Sequence, residues 1–181
     1  MTTENLVFRQ MIYVGDVGTE FRVDCKVNVV GAIEQRIKLL RPDDTEASWA
    51  STLLGAVGTV TIAAQGTGYV VDEILTVVQT GASGCRLKVT TIGAGGVVTG
   101  LQVVDGGLTY ETGTALATTG GSGAGLTVNI TGLSSATILK YVTMTGDLNL
   151  SGIWTLQAYI RLSNWVGLGE SASFEVYDRF M

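Results

Sequence analysis

The stretch that decides the fold is residues 147–161, which reads DLNLSGIWTLQAYIR. Its first half is rich in residues that bend or cap the backbone at low cost, namely Asp, Asn, Ser and Gly. Its second half alternates strictly between apolar and other side chains. The apolar side consists of Trp154, Leu156, Ala158 and Ile160. A period of two is typical of a half-buried antiparallel strand, so the sequence predicts a central strand entered through a tight corner.

Further strands are predicted on both sides of this stretch. Residues 136–144 are predicted to form the strand before it and residues 170–177 the strand after it. Nearer the start, residues 20–29 alternate, with Phe21, Val23, Cys25, Val27 and Val29 on one face. The remaining predicted strands are residues 11–17, residues 34–40 with Ile37 and Leu39 inward, and a strand starting at residues 45–49. Strands with one apolar face need a second sheet to cover them, which predicts a sandwich.

The composition supports an all-β protein with a core. Of 181 residues, 46% are hydrophobic, only 15% are charged and 25 are glycine, and Val, Thr and Ile are abundant. The net charge of −5 argues against nucleic acid as a partner, because binding phosphates needs clustered Lys and Arg. Residues 1–10 lack the pattern of a signal peptide, and no apolar run reaches the length of a membrane span. A soluble protein with no membrane partner is therefore expected.

A change in amino-acid composition divides the chain. Residues 55–133 hold 18 of the 25 glycines and only six charged residues. The blocks before and after this region share a more charged and aromatic character. We therefore predict an N-terminal arm (1–10), a discontinuous sandwich (11–54 plus 134–181) and an inserted β domain (55–133), because an insertion is tolerated where its two ends lie close together.

The predicted insert contains an internal repeat. Residues 68–75 parallel residues 109–116 at a spacing of 41, and residues 83–89 parallel residues 122–128 at a spacing of 39. This alignment places a two-residue gap between the two parts of the repeat. Each copy combines a Gly-Tyr corner, a strand, a Gly/Ser turn and another strand. Two such copies are expected to pack on each other, because neither can bury its apolar face alone.

Several motifs carry a resemblance to known families. The host motifs are YVGDVGTEF (13–21), IKLLRPD (37–43), GDL (146–148) and GIWTLQAY (152–159). They resemble the immunoglobulin-like domains of virion proteins of tailed bacteriophages. GTGY (66–69) followed by DEILTV (72–77) resembles the Gly-rich repeats of phage structural proteins. The resemblance implies a virion protein of the neck, tail or baseplate that assembles in the host cytoplasm, with copies of itself and neighbouring virion proteins as partners. Decoration of the capsid exterior is the alternative position.

The cysteines depart from the antibody pattern of an inter-sheet disulfide. Cys25 lies on an inward face, but the strand expected to face it offers Ala158, so that bridge is not available. Cys25 and Cys85 fall in different predicted domains, and two unpaired thiols are predicted. Unpaired thiols fit a protein that assembles in a reducing compartment.

The sequence shows no catalytic, cofactor or metal site. The absence of histidine excludes catalytic triads that use it and most zinc sites. The Gly-rich residues 120–125 are predicted to form a turn, because a nucleotide loop needs a following Lys-Ser/Thr pair and a helix. The acidic pairs Asp43-Asp44 and Asp72-Glu73 lack the spaced ladder of a calcium site. An enzyme such as a two-carboxylate glycosidase stays a minor alternative.

Three aromatic residues are the candidates for an interaction surface. Trp165 lies in a predicted hairpin turn, where its ring contacts either its own domain or a partner. Tyr69 and Tyr110 either stack on sugars or form structural corners, and their matching repeat positions favour corners. A second function class stays open, a glycan-binding adhesion module with host surface glycan as its partner, and a groove lined by exposed Tyr69 or Tyr110 would indicate it. Trp154 is predicted to be core, and Trp49 is predicted to pack between the two domains.

Overall fold

The all-β class is confirmed by the computed structural model, which describes residues 11–179. The predicted arm, residues 1–10, lies outside the described residues. The strands are β1 (Ile12–Tyr13), β2 (Glu20–Asp24), β3 (Glu34–Leu40), β4 (Glu46–Ala50), β5 (Thr52–Thr67), β6 (Ile74–Val77), β7 (Ser83–Ile92), β8 (Val98–Leu108), β9 (Gly113–Thr119), β10 (Ala124–Val142), β11 (Gly152–Arg161) and β12 (Val166–Tyr177). The only helical turn among the described residues is the 3₁₀ segment Ala94–Gly96.

Two sheets form the sandwich. One has the order β1-β12-β11-β3-β4, and the facing sheet is built from β2, β10 and the first part of β5. All neighbours in these sheets are antiparallel except β1, which runs parallel to β12. This strand order is that of an immunoglobulin-like sandwich, in which one sheet carries strands G, F and C and the other B, E and D.

Strand β11 is the central strand that its alternation predicted. It pairs with β3 on one side and β12 on the other, and its four predicted inward side chains are at most 8% exposed. They join residues of both sheets in one core, including Phe21 of β2. The buried members of this sandwich core are Val29, Ile37, Leu39, Trp49, Leu139, Leu148, Trp154, Leu156, Ala158, Ile160 and Val176.

The strand predicted for residues 20–29 is too long. It ends at Asp24, because Lys26 adopts a left-handed backbone (φ 62°) and donates its N–H to the Asp24 carboxylate at 2.8 Å. Val27, which was predicted to point inward, is therefore 55% exposed. The chain returns to the core at Val29, whose N–H donates to the Ala136 carbonyl at 2.8 Å.

Trp49 was predicted to pack between the two domains, and this prediction is wrong. It lies in the sandwich core, with its ring stacked on Tyr141 at 4.7 Å between centroids and tilted against Phe21 at 5.3 Å. Its position follows from β4, whose alternation turns Trp49 inward beside Ile37 of β3. These aromatic contacts join the two sheets.

The Gly-rich region forms a second β body with its own cores. Strands β5 and β10 continue past the sandwich as a two-stranded ribbon, and the sheet then runs β5-β10-β9-β6-β7-β8. Strand β8 returns against β5, where a Cβ on Gly106 would lie 2.6 Å from the Val57 carbonyl oxygen. Gly55 and Leu133, the predicted limits of the insert, lie inside the two long strands rather than in loops. The buried residues of the two cores in the Gly-rich region are Val57, Tyr69, Leu75, Val77, Cys85, Leu87, Val89, Val98, Tyr110, Leu126, Val128 and Ile130.

The two halves of the insert are related by a constant spacing of 41 residues. The Tyr110 hydroxyl accepts a hydrogen bond from the Cys85 N–H, and the Tyr69 hydroxyl accepts one from the Leu126 N–H. Cys85 and Leu126 are therefore equivalent, as Tyr69 and Tyr110 are, and both pairs are 41 residues apart. Val77 pairs with Thr118 across β6 and β9, also at this spacing, so a pseudo-twofold axis passes there. The predicted alignment of the second segment at 39 residues, with its two-residue gap, is wrong.

The corner before β11 is held by Asp147. Its carboxylate accepts hydrogen bonds from the Met144 N–H at 2.6 Å and from the Tyr141 hydroxyl at 2.7 Å. Leu148, the next residue, is fully buried in the sandwich core. The GDL motif is therefore a structural corner that fixes how the chain crosses from one sheet to the other.

This corner predicts a loss of stability at alkaline pH. Burial, and then the hydrogen bond to Asp147, raise the pKa of Tyr141 from its ordinary value of 10.0 to about 12. Because the fold favours the neutral hydroxyl, this contribution to stability is complete below pH 10 and is lost as the pH rises towards 12. We expect Tyr141→Phe to lose less stability than the wild type between pH 10 and pH 12 in urea unfolding.

Three other groups must be considered in this measurement. Burial raises the pKa of Cys85 to about 11 and also raises the pKa values of Cys25 and Tyr110, so part of the alkaline loss persists in the Tyr141→Phe variant. Two parallel stability curves from pH 9 to pH 12 would contradict the assignment to Tyr141.

Glu111 connects the insert to the sandwich through polar contacts of its side chain. Its carboxylate accepts a hydrogen bond from Lys140 Nζ at 2.7 Å and one from the Thr52 hydroxyl at 3.3 Å. Its backbone N–H and carbonyl bond to the side-chain amide of Gln79. The neighbouring Tyr110 exchanges two backbone hydrogen bonds of 2.8 Å with Gly55. One corner of the insert is thus tied to both strands of the ribbon.

Candidate interaction surface

Trp165 lies in the turn between β11 and β12, as predicted. The turn is closed by a hydrogen bond from the Leu162 N–H to the Trp165 carbonyl at 2.7 Å. The indole ring covers Gly167 so closely that a Cβ there would overlap it. Trp165 is still 48% exposed, so it contacts its own strand and presents apolar surface to solvent.

Tyr69 and Tyr110 do not lie on the surface. They are 3% and 0% exposed, which contradicts their assignment to an interaction surface. The Tyr110 hydroxyl donates to the Val77 carbonyl at 2.7 Å while accepting from the Cys85 N–H at 3.3 Å. The structural alternative is the correct one, because each ring closes a corner of one half of the insert over a strand of the other half.

A groove lies on the outer face of the five-stranded sheet, on the side opposite the sandwich core. Tyr159 lies at its centre and pairs with Leu168 of β12 on one side and with Arg36 of β3 on the other. The groove has a volume of about 630 Å³ and is lined by Lys38, Leu39, Leu40, Glu46, Thr155, Gln157, Tyr159, Val166, Gly167, Leu168 and Ser171. Leu168 is 59% exposed and Val166 is 56% exposed. We call this surface the outer-face groove.

The outer-face groove combines apolar rims with a few polar groups. Lys38 Nζ lies 5.6 Å from the centre of the Tyr159 ring, within the range of a cation–π contact. Glu46 contributes a carboxylate at the β4 edge, whereas β12 contributes mainly aliphatic and small side chains. Exposed apolar side chains beside separate polar groups are features of surfaces that dock other proteins.

Within residues 11–179, no three His, Cys, Asp or Glu side chains come together in a group that could hold a metal ion. Both cysteines are free, and burial raises the pKa of each thiol, which lowers the reactive thiolate fraction. In the same part of the chain, no helix is long and apolar enough to cross a bilayer.

The sequence reasoning did not find the outer-face groove. Its central residues Thr155, Gln157 and Tyr159 are the second face of the alternation that predicted β11, so a signal was present. The rims come from other strands, and the cross-strand register alone decides that Leu168 and Leu40 flank that face. That register depends on a bulge between Gln157 and Tyr159, and no pattern in the local sequence predicts this bulge.

Comparison of the chain with protein-family models, with curated proteins and with solved structures found no match in any of the three.

Proposed function

We propose that this chain is a structural component of a tailed-phage virion that acts by protein–protein assembly in the neck, tail or baseplate. The outer-face groove is the observation that carries the proposal, because it exposes apolar side chains together on the outer face of a five-stranded sheet. Copies of the chain and neighbouring virion proteins are the partners. The motifs that resemble phage immunoglobulin-like domains support the proposal independently.

The position of those motifs is consistent with a scaffold role. GDL (146–148) forms the Asp147 corner, and GIWTLQAY (152–159) forms most of the central strand β11. They build the sheet whose outer surface carries the groove. The insert leaves the sandwich through the ribbon of β5 and β10, which allows it to fill a space between subunits.

The other function classes have less support from the described residues. The glycan-binding alternative depended on exposed Tyr69 and Tyr110, and both rings are buried. Decoration of the head exterior belongs to the same class as the proposal and differs only in position. The experiment below separates these two positions.

The test is immunogold labelling of phage particles purified from cells that produce this chain, with an antibody raised against it. Label at the neck, tail or baseplate is the expected result. Label spread over the head shell would favour capsid decoration. Recovery of the chain only in the unassembled fraction, with unlabelled particles, would overturn the proposal.

A substitution in the outer-face groove tests the docking role. Leu168→Asp is expected to reduce incorporation into particles by about tenfold or more, because a charge on the apolar rim of a docked surface costs about 2 kcal/mol. Stability should change by no more than about 0.5 kcal/mol, because Leu168 is 59% exposed. Val104→Asp is the matched control, since Val104 lies on β8 of the insert and is 54% exposed. Equal incorporation of both variants would contradict the role of the groove.

A further inference from the structure

One edge of strand β12 has few partners among residues 11–179. On one side it pairs with β11 along its length. On the other side, the described part of the chain gives it only β1, at Val176 and Tyr177. Residues 166–175 therefore present backbone N–H and carbonyl groups along ten positions with no strand beside them among residues 11–179. A free edge of this length is a template for an added strand.

The core beneath this edge is incompletely covered. Ala172 pairs with Leu156 and Phe174 pairs with Trp154, so both face the sandwich core. Ala172 is nevertheless exposed, and Phe174 is only half-buried. Phe174 contacts Phe21 of β2 at 4.8 Å between ring centroids, so β2 is the strand of the facing sheet on this side. We call the gap bounded by β2 and residues 166–175 of β12 the open seam.

We propose that the open seam receives the N-terminal segment, residues 2–11, of a neighbouring copy of this chain as an added strand. The inference rests on the proposed function, because it supplies a contact between copies in the assembled particle. Strand addition of this kind gains affinity from main-chain hydrogen bonds and specificity from alternate side chains that enter pockets.

The edge already accepts this part of the chain. The first two described strand residues, Ile12 and Tyr13, pair with β12, and Ile12 packs against the sandwich core. Met11 lies outside β1 and is 53% exposed. Among residues 11–179, pairing along this edge of β12 therefore ends at Ile12.

The sequence and length of the segment fit the seam. Residues 2–11 supply ten positions for an edge of ten residues. Leu6 and Phe8 share the parity of Ile12, so both apolar side chains turn to one face of an extended strand. Beside Ala172, that face meets the uncovered part of the core. Arg9 falls on the other face, which also carries Glu175, and adds charge complementarity.

The test is disulfide trapping between two differently tagged full-length chains, both carrying Cys25→Ser. One chain carries Phe8→Cys as donor and the other Ala172→Cys as acceptor. Mild oxidation of the mixture is expected to give a linked heterodimer with both tags. Val104→Cys, exposed on the insert, is the control acceptor and should give about tenfold less linked product.

The outcomes separate this inference from the proposed function. Equal yields from the Ala172→Cys and Val104→Cys acceptors would overturn it. A second experiment places Phe8→Cys and Ala172→Cys in one chain and oxidises it in a mixture with wild-type chains. A disulfide formed within that single molecule would also overturn the inference. Removal of residues 1–10 should weaken self-association by about tenfold, measured by sedimentation. A chain that labels particles but shows none of these effects keeps its virion role and loses only the strand exchange.

Discussion

Replacing Trp154 by alanine is expected to lower the free energy of unfolding by about 3–5 kcal/mol. The ring is fully buried at the centre of the sandwich core and stacks on Phe174 with 6.1 Å between centroids. Its Nε1–H donates to the Leu150 carbonyl at 3.1 Å, and the Arg41 guanidinium lies 5.8 Å from the ring centre. The substitution leaves a cavity between the two sheets, because the surrounding strands are held by their hydrogen bonds and cannot close the space. It also leaves the Leu150 carbonyl without the hydrogen bond from the indole.

Urea unfolding followed by far-ultraviolet circular dichroism measures this loss. Ile153→Ala is the matched control, because Ile153 is the preceding residue of β11 and is 66% exposed on the opposite face. Its cost should stay within about 0.5 kcal/mol. A Trp154→Ala variant that loses less than about 1 kcal/mol would show that this ring does not hold the sheets together.

Gly55→Ala is expected to cost about 3 kcal/mol, which corresponds to a fall of about 6–12 °C in Tm for a chain of this size. An added Cβ would overlap the Ser135 carbonyl oxygen and lie 2.7 Å from the Ala136 Cα. The backbone of Gly55 cannot move aside, because its N–H and carbonyl are both bonded to Tyr110. The clash falls at the junction, so both the ribbon and the corner of the insert must shift.

Differential scanning calorimetry of the wild type and the Gly55→Ala variant tests this prediction. Gly93→Ala serves as the control, since its Cβ would meet no atom closer than 3.7 Å and its backbone is in the β region. We expect that variant to be neutral or slightly stabilised, because alanine reduces the entropy of the unfolded chain. Equal Tm values for the two variants would contradict the close approach of β5 and β10 at Gly55.

Local patterns predicted the sandwich well. The alternation from Trp154 to Ile160 is a property of consecutive residues, so the sequence alone identified β11 and its buried face. Ile37 and Leu39 were predicted inward for the same reason and are buried. The corner role of Tyr69 and Tyr110 could be inferred as an alternative, because two identical residues at equivalent repeat positions indicate a structural need.

Features that a period of two does not reveal explain what was missed. Val27 continues the alternation of β2, but the strand ends at Asp24 and Lys26 has a left-handed backbone. The Gly/Ser turns of the repeat have similar compositions and match at several offsets, so composition alone favours a spacing of 39 residues in one segment. Only the hydrogen bonds from Cys85 and Leu126 to the two tyrosine hydroxyls fix the spacing. The outer-face groove and the open seam both depend on which strands meet, which composition and period do not specify.

The ribbon of β5 and β10 has a mechanical consequence. Its two strands run without interruption from the sandwich into the insert, so a force on the insert reaches the sandwich through two paired strands. The register shifts along β10 are concentrated between Ile130 and Ile138, where bulges locally relax the ladder. We therefore expect a force on the insert to bend the ribbon at that segment before it separates the two bodies.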